Sequence, residues 1–266
     1  MNIKKIINHL EKVAPLNYQE SYDNSGLIVG SSDKEVKRIL ICLDITEEVI
    51  DEAIGLKTDL IISHHPIIFL GIRKITGSTY VQRVILKAIE KNIALYAMHT
   101  NLDNVLKGVN AKICEKLGLT KCKILLPGDT RNTGAGMIGE LRSSTDSLQF
   151  IKKIKKIMKV GVIRHTELVK KRIKRVAVCG GSGSFLLQDA IKKKADIFIS
   201  ADFKYHQFFD SENKIIIADI GHYESEQFTM ELVKEILTPL AAVKRKKIVN
   251  FAARITNINT NPIIYS

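Results

Sequence analysis

Three stretches of this chain pass from an apolar run into imidazole and carboxylate groups. Leu60-Ile61-Ile62-Ser63 leads into His64-His65-Pro66. The run 93–98 leads into His99-Thr100-Asn101-Leu102-Asp103, and the run 214–219 into Ile220-Gly221-His222-Tyr223-Glu224-Ser225-Glu226. Neutral imidazole combined with carboxylate is the donor chemistry of Zn, Mn or Fe. A bare His-His pair reads most simply as two unrelated histidines, one capping and one exposed. The other two strand ends change that reading. His64, His65, Asp103, His222 and Glu226 exceed the ligands of one four-coordinate zinc, so two divalent ions sharing carboxylates are expected. Asp103 and Glu226 are the candidates for sharing. His222 and Glu226 stand four apart, on one face of a helix. The proline after His65 favours an extended backbone, which lets both rings turn into one cleft.

Other polar groups carry less specific signals. His99 reads as a ligand, as a partner to a ligand, or as a satisfied core histidine. Asp202 and His206 follow a second Ser-ended run and suit an acid, a base or a substrate contact, or a structural role. With His99 they are the candidate catalytic residues. Gly180-Gly181-Ser182-Gly183-Ser184 can cradle an anion on its backbone N–H groups, or serve simply as a tight turn. Tyr22-Asp23-Asn24-Ser25-Gly26 reads as a turn with Asp23 toward the cleft. Glu224 reads as an ordinary acid at a helix start.

An internal repeat shows which elements position these groups. Lys37-Arg38-Ile39-Leu40-Ile41-Cys42 resembles Lys174-Arg175-Val176-Ala177-Val178-Cys179. Ala53-Ile54 matches Ala190-Ile191, and Lys57-Thr58-Asp59-Leu60-Ile61-Ile62-Ser63 matches Lys194-Ala195-Asp196-Ile197-Phe198-Ile199-Ser200. The offset is 137 residues throughout. Each copy reads strand, helix, strand: 37–43, 46–56 and 59–63, then 174–179, 184–194 and 196–200. Alternation of this kind predicts α/β layers with mostly parallel strands, whose carboxyl ends carry ligands. Further helices are expected at 80–91, 105–117 and 224–237, and strands at 93–98 and 214–219. Pro127, Gly128, Asp129, Gly134 and Gly136 mark 120–136 as loop. The expected organisation is a first half over 1–126, a junction at 127–136, a second half over 137–240, and a segment 241–266 returning to the first half. A final strand is expected within 255–265.

The chain has 266 residues, 45% of them hydrophobic, with no Trp. That length allows one large or two intimate domains. Neither a signal peptide nor a membrane span is apparent, and Cys42, Cys114, Cys122 and Cys179 form no C-x-x-C pair. A reducing, cytoplasmic setting is expected. The formal charge of +13 comes from 41 basic and 28 acidic residues. Basic clusters lie at Lys152, Lys153, Lys155 and Lys156, at Lys170, Lys171, Arg172, Lys174 and Arg175, and at Lys244, Arg245, Lys246 and Lys247. They suit nucleic acid or an anionic substrate, but a Lys-rich solvated surface is the favoured account, because no nucleic-acid-binding motif accompanies the charge.

The ordered set of motifs resembles the family named after NGG-one interacting factor three, whose members are also described as GTP cyclohydrolase I type 2 homologues. The segments that carry the resemblance are Tyr22 to Leu27, Ser63 to Pro66, Met98 to Asp103, Cys179 to Ser184, Lys204-Tyr205-His206 and Gly221 to Glu226. The resemblance implies two intertwined, internally repeated α/β halves with a dinuclear metal site in the cleft between them. It also implies a toroidal homohexamer, a trimer of dimers. The family's ligands fall on His64, His65, Asp103, His222 and Glu226, which favours Glu226 over Glu224. Tyr22 departs from the family's usual Trp. The PII-like insert of longer members is absent, since Leu125-Leu126-Pro127 passes almost directly to Gly134. Two divalent ions per subunit (Zn, Fe or Mn) and a hydrolase acting on a nucleotide, with GTP ring opening and formate release, are the implied cofactors and activity. The competing expectations are a metal-binding scaffold contacting nucleic acid or transcription proteins, and a metal chaperone or buffer.

Overall fold

The computed structural model describes residues 1–241 and 251–266. The basic cluster at Lys244–Lys247 lies outside the described residues. The strands are β1 Gly26–Val29, β2 Arg38–Cys42, β3 Leu60–Ser63, β4 Ala94–Ala97, β5 Thr120–Pro127, β6 Gly134–Asp146, β7 Arg164–His165, β8 Arg172–Ser182, β9 Ile197–Ala201, β10 Ile216–Asp219 and β11 Ala252–Ile255. The chain divides into two compact units, Met1–Leu102 with Thr229–Pro262 and Asp103–Phe228 with Ile263–Ser266.

In the first unit the strand order is β1-β4-β3-β2-β11. All neighbours are parallel except β1 with β4. Strands β3 and β4 are buried at every position, as expected of parallel strands covered on both faces. Helices Glu47–Gly55 and Tyr80–Glu90 pack Val49, Ile50, Ala53, Val84 and Ala88 into one apolar cluster with Leu40, Ile61 and Leu95. Thr46 and Thr79 cap these two helices through side-chain acceptance of the Val49 and Gln82 N–H groups. The C-terminal strand is Ala252–Ile255, paired in parallel with β2, rather than a segment of 255–265.

In the second unit the order is β5-β6-β8-β9-β10-β7. Only β8, β9 and β10 run parallel, so this sheet is mixed rather than mostly parallel. The expected loop 120–136 is largely strand: β5 and β6 form a hairpin, with Pro127 opposite Gly134. The punctuating residues shape its turn. The chain passes between units at Leu102 and Asp103, well before the junction placed at 127–136. The helix expected over 105–117 begins at Val109, and that over 224–237 divides into His222–Glu226 and Thr229–Ala241. Helix Ser147–Ile157 shows Lys152, Lys153, Lys155 and Lys156 to solvent while Phe150, Ile151 and Ile154 are buried. That basic cluster is the solvated face of an amphipathic helix. Among the described residues no helix is long and apolar enough to cross a membrane.

Candidate metal centre

His64 and His65 occupy the bend that follows β3, where the backbone N–H of each donates to the Leu43 carbonyl. His99 follows β4. The three imidazoles form one group in the first unit. Ring centroids lie 4.9 Å apart for His64 and His65, and 5.3 Å apart for His99 with each of them. One nitrogen from each lies within 4.8 Å of the other two. Phe69 meets His99 edge-on at 5.5 Å.

Each of these rings is held through Nδ1. His64 Nδ1 lies 2.7 Å from the Met98 carbonyl, His65 Nδ1 2.7 Å from Asp44 Oδ1, and His99 Nδ1 2.8 Å from Asp23 Oδ1. Carbonyls and carboxylates only accept, so Nδ1 donates in all three and the coordinating nitrogen would be Nε2. Imidazoles that bind metals are oriented in this way. Asp44 accepts a second bond from Thr260 Oγ1 at 2.7 Å. Burial raises the pKa of Asp23, but hydrogen bonds from His99, Thr100 and Ser25 outweigh it. The carboxyl is held well below the usual range.

The second unit carries Asp103, His222 and Glu226. His222 Nδ1 lies 2.6 Å from Asp202 Oδ2, and its Nε2 lies 3.1 Å from Glu226 Oε2. Burial opposes the imidazolium, yet these two carboxylates together push the His222 pKa up to about 11. His222 in turn lowers that of Asp202. Glu226 is 3% exposed. Burial raises the Cys179 pKa, and the charges of Asp103 and Glu226 raise it further. Asn110, itself buried, donates to the Asp103 carbonyl at 3.3 Å and accepts the Gly180 N–H at 2.9 Å.

In the Gly180–Ser184 segment the first two N–H groups are already engaged within the protein. Its Gly180 and Gly181 N–H groups donate to Asn110 Oδ1 and Ser225 Oγ. Strand β8 continues through it to Ser182, with an irregularity between Val178 and Ser182. Gly180 and Gly181 make room for the Glu226 side chain, and Gly183 for Ser200 and Cys179. A Cβ on Gly181, whose φ is +60°, would come 2.3 Å from Glu226 Oε1 and 3.2 Å from His222 Cε1. Glycine is needed for both the conformation and the space. Glu224 is buried, with its carboxylate against Gly221. His206 sits in an exposed ring cluster with Tyr205 and Phe209.

The sequence reading missed Asp44 and the anchoring role of Asp202. The signal was present, since both stand just beyond a strand's carboxyl end. Acids that orient a histidine have no fixed spacing from it, however, and the two partners of each pair are about 20 residues apart.

The family model of Duf34/NIF3 (NGG1p interacting factor 3) matches residues 1–262. The chain belongs to that family. A Duf34/NIF3 relative from Clostridium perfringens, called GTP cyclohydrolase 1 type 2 homolog, is 39% identical over 229 residues, covering 85% of this chain and 87% of the relative. The solved structure of Staphylococcus aureus hypothetical protein SA1388 superposes with a TM-score of 0.90 at 28% identity, covering 100% of this chain and 99% of that one. A Bacillus cereus protein related to NIF3 shares the fold with a TM-score of 0.92 at 24% identity, over 100% and 99% of the two chains.

Proposed function

We propose that this chain is a dinuclear-metal-dependent hydrolase of the GTP cyclohydrolase 1 type 2 kind, opening the imidazole ring of guanine in GTP and releasing formate. In this reading His64, His65, Asp103, His222 and Glu226 hold two divalent ions. The observation that carries it is the common anchoring of four imidazoles through Nδ1 to an oxygen acceptor. That anchoring turns Nε2 of each ring outward as the nitrogen that would meet a metal. Imidazole and carboxylate together fit Zn, Mn or Fe. A carboxylate as buried as Glu226 is matched by positive charge, which the His222 imidazolium supplies in the metal-free chain and a divalent ion would supply when bound. Bound divalent ions supply Lewis acidity and bring coordinated water toward neutral pKa.

The chain's own groups supply the rest. His99, outside the five ligands, takes up and returns a proton at Nε2 while its Nδ1–H stays bonded to Asp23, which steadies the imidazolium. Asp202 holds the His222 ring with Nδ1–H toward itself, so that Nε2, beside Glu226, is the atom that would hold a metal. The nucleotide reading comes from the names of the relatives. The homohexamer comes from the family resemblance, and its check is mass by light scattering.

The test loads the purified chain with Zn, Mn or Fe and assays formate release from GTP, with His65→Ala and Glu226→Ala alongside. Formate release that both variants abolish, together with lost metal, is the expected result. Turnover retained in both removes this site as the catalyst. The competing reading, a metal-binding scaffold contacting nucleic acid or transcription proteins, rests on the +13 charge. It predicts metal uptake without turnover and a salt-sensitive gel shift with DNA or RNA.

A further inference from the structure

The stretch after β9 sorts its rings into two sets. Phe203 and Phe208 pack inward, with centroids 5.6 Å apart and Phe203 meeting Phe198 in the apolar cluster of the second unit. Tyr205, His206 and Phe209 turn outward on the short helix Tyr205–Ser211. Tyr205 is 74% exposed and Phe209 66%. Their rings nevertheless gather: centroids are 5.1 Å apart for Tyr205 and His206, 5.6 Å for Tyr205 and Phe209, and 6.4 Å for His206 and Phe209. Gln207 Nε2 donates to Ser184 Oγ at 3.0 Å, which brings alongside the turn bearing Phe185, itself 64% exposed. Among the described residues nothing buries these outward rings. A solvated aromatic forgoes the burial that normally justifies its size, so a cluster of them marks a contact surface.

Its place suggests the occupant. The cluster begins three residues beyond Asp202, whose carboxylate holds the His222 ring. A molecule that extends from the Asp202 side onto this cluster meets flat aromatic faces there. Exposed Lys204 and His206 add a cation and a polar ring edge. We propose that Tyr205, His206 and Phe209 form a stacking platform for the purine ring of the nucleotide substrate, with Tyr205 the principal contact. This rests on the nucleotide reading above and deepens it by assigning base recognition. Aromatic faces accept any base, so the platform supplies affinity for a heterocycle and the reacting groups select among them.

The test measures equilibrium binding to the full, metal-loaded chain by calorimetry. GTP and inorganic tripolyphosphate, which lacks a base, are the two probes. Tyr205→Ala, Tyr205→Phe and Phe209→Ala are compared with wild type, with metal content checked in each. Tyr205→Ala is expected to weaken GTP at least tenfold, Tyr205→Phe to restore it, and tripolyphosphate binding and metal content to stay unchanged. GTP binding equal in wild type and Tyr205→Ala overturns the platform and leaves the nucleotide reading standing. Failure of the metal-loaded wild type to bind GTP overturns both. A change in oligomeric mass for Tyr205→Ala and Phe209→Ala, with GTP affinity untouched, assigns the surface to a second copy of the chain and also overturns the platform.

Discussion

The two copies of the internal repeat show how one framework comes to present different chemistry. In the first, Asp59 Oδ2 accepts the N–H groups of Lys37 and Arg38; in the second, Asp196 Oδ2 accepts those of Lys174 and Arg175. The N–H of Asp59 donates to the Arg38 carbonyl, and that of Asp196 to the Arg175 carbonyl. Lys57 and Lys194 both turn the chain after a helix with positive φ, 53° and 56°. At the amino ends of the strands the copies are nearly interchangeable. At the carboxyl ends they diverge. His65 and Asp202 stand at equivalent positions, one an imidazole bonded to Asp44 and the other a carboxylate bonded to His222. Asp44 corresponds to Gly181, where the second copy needs no side chain because Glu226 fills the space. The lesson is that the amino ends carry the fold and the carboxyl ends carry the chemistry.

Substitutions at paired positions can break or sharpen this comparison. The largest effect is expected at Gly181→Ala. The new methyl group meets Glu226 at a backbone conformation that alanine rarely adopts. Metal content, by elemental analysis, should fall by at least one ion per chain. Full occupancy in that variant would show that Glu226 is not a ligand. Next come Asp44→Ala and Asp202→Ala, each removing the acid behind one imidazole. Both should weaken metal binding by roughly 10–100-fold, read by chelator competition. Loss in only one would confine metal binding to one copy's strand ends.

A pH series sharpens the contrast between the two imidazole anchors. In metal-free protein the His222 pKa is raised to about 11, against an ordinary value near 6.5. A raised pKa means that the folded state holds the proton more tightly. The stabilisation is therefore complete below about pH 6.5 and is lost as pH rises through 11. The urea midpoint of wild type minus that of His222→Gln should shrink across this window. A difference that stays level would remove the proton from between Asp202 and Glu226. The smallest effects belong to the amino ends. Asp59→Ala and Asp196→Ala should each cost about 1 kcal/mol, nearly equally, with metal affinity unchanged. Strongly unequal losses in chemical denaturation would show that the framework is less symmetric than its hydrogen bonds.

The strand–helix–strand repeat was legible because hydrophobic period and register survive in a single sequence. The helices beginning at Glu47 and Tyr80, and strands β2, β3, β4 and β9, lie within a residue or two of expectation. The hairpin of β5 and β6 was not, since its glycines and proline look like loop until a partner strand supplies the hydrogen bonds. The same limit applied to the Gly180–Ser184 segment. Composition there suggested an anion cradle, and only the position of the Glu226 carboxylate showed what the missing Cβ atoms make room for.

Residue type and position along the chain nominated His64, His65, Asp103, His222 and Glu226 as candidate ligands, because imidazoles and acids at strand ends are chemically conspicuous without coordinates. Tertiary structure alone decided which nitrogen each ring presents, which acid stands behind it, and where Tyr205 and Phe209 turn to solvent. Those outcomes depend on hydrogen bonds and packing between residues far apart in the chain, and no local pattern encodes such distances.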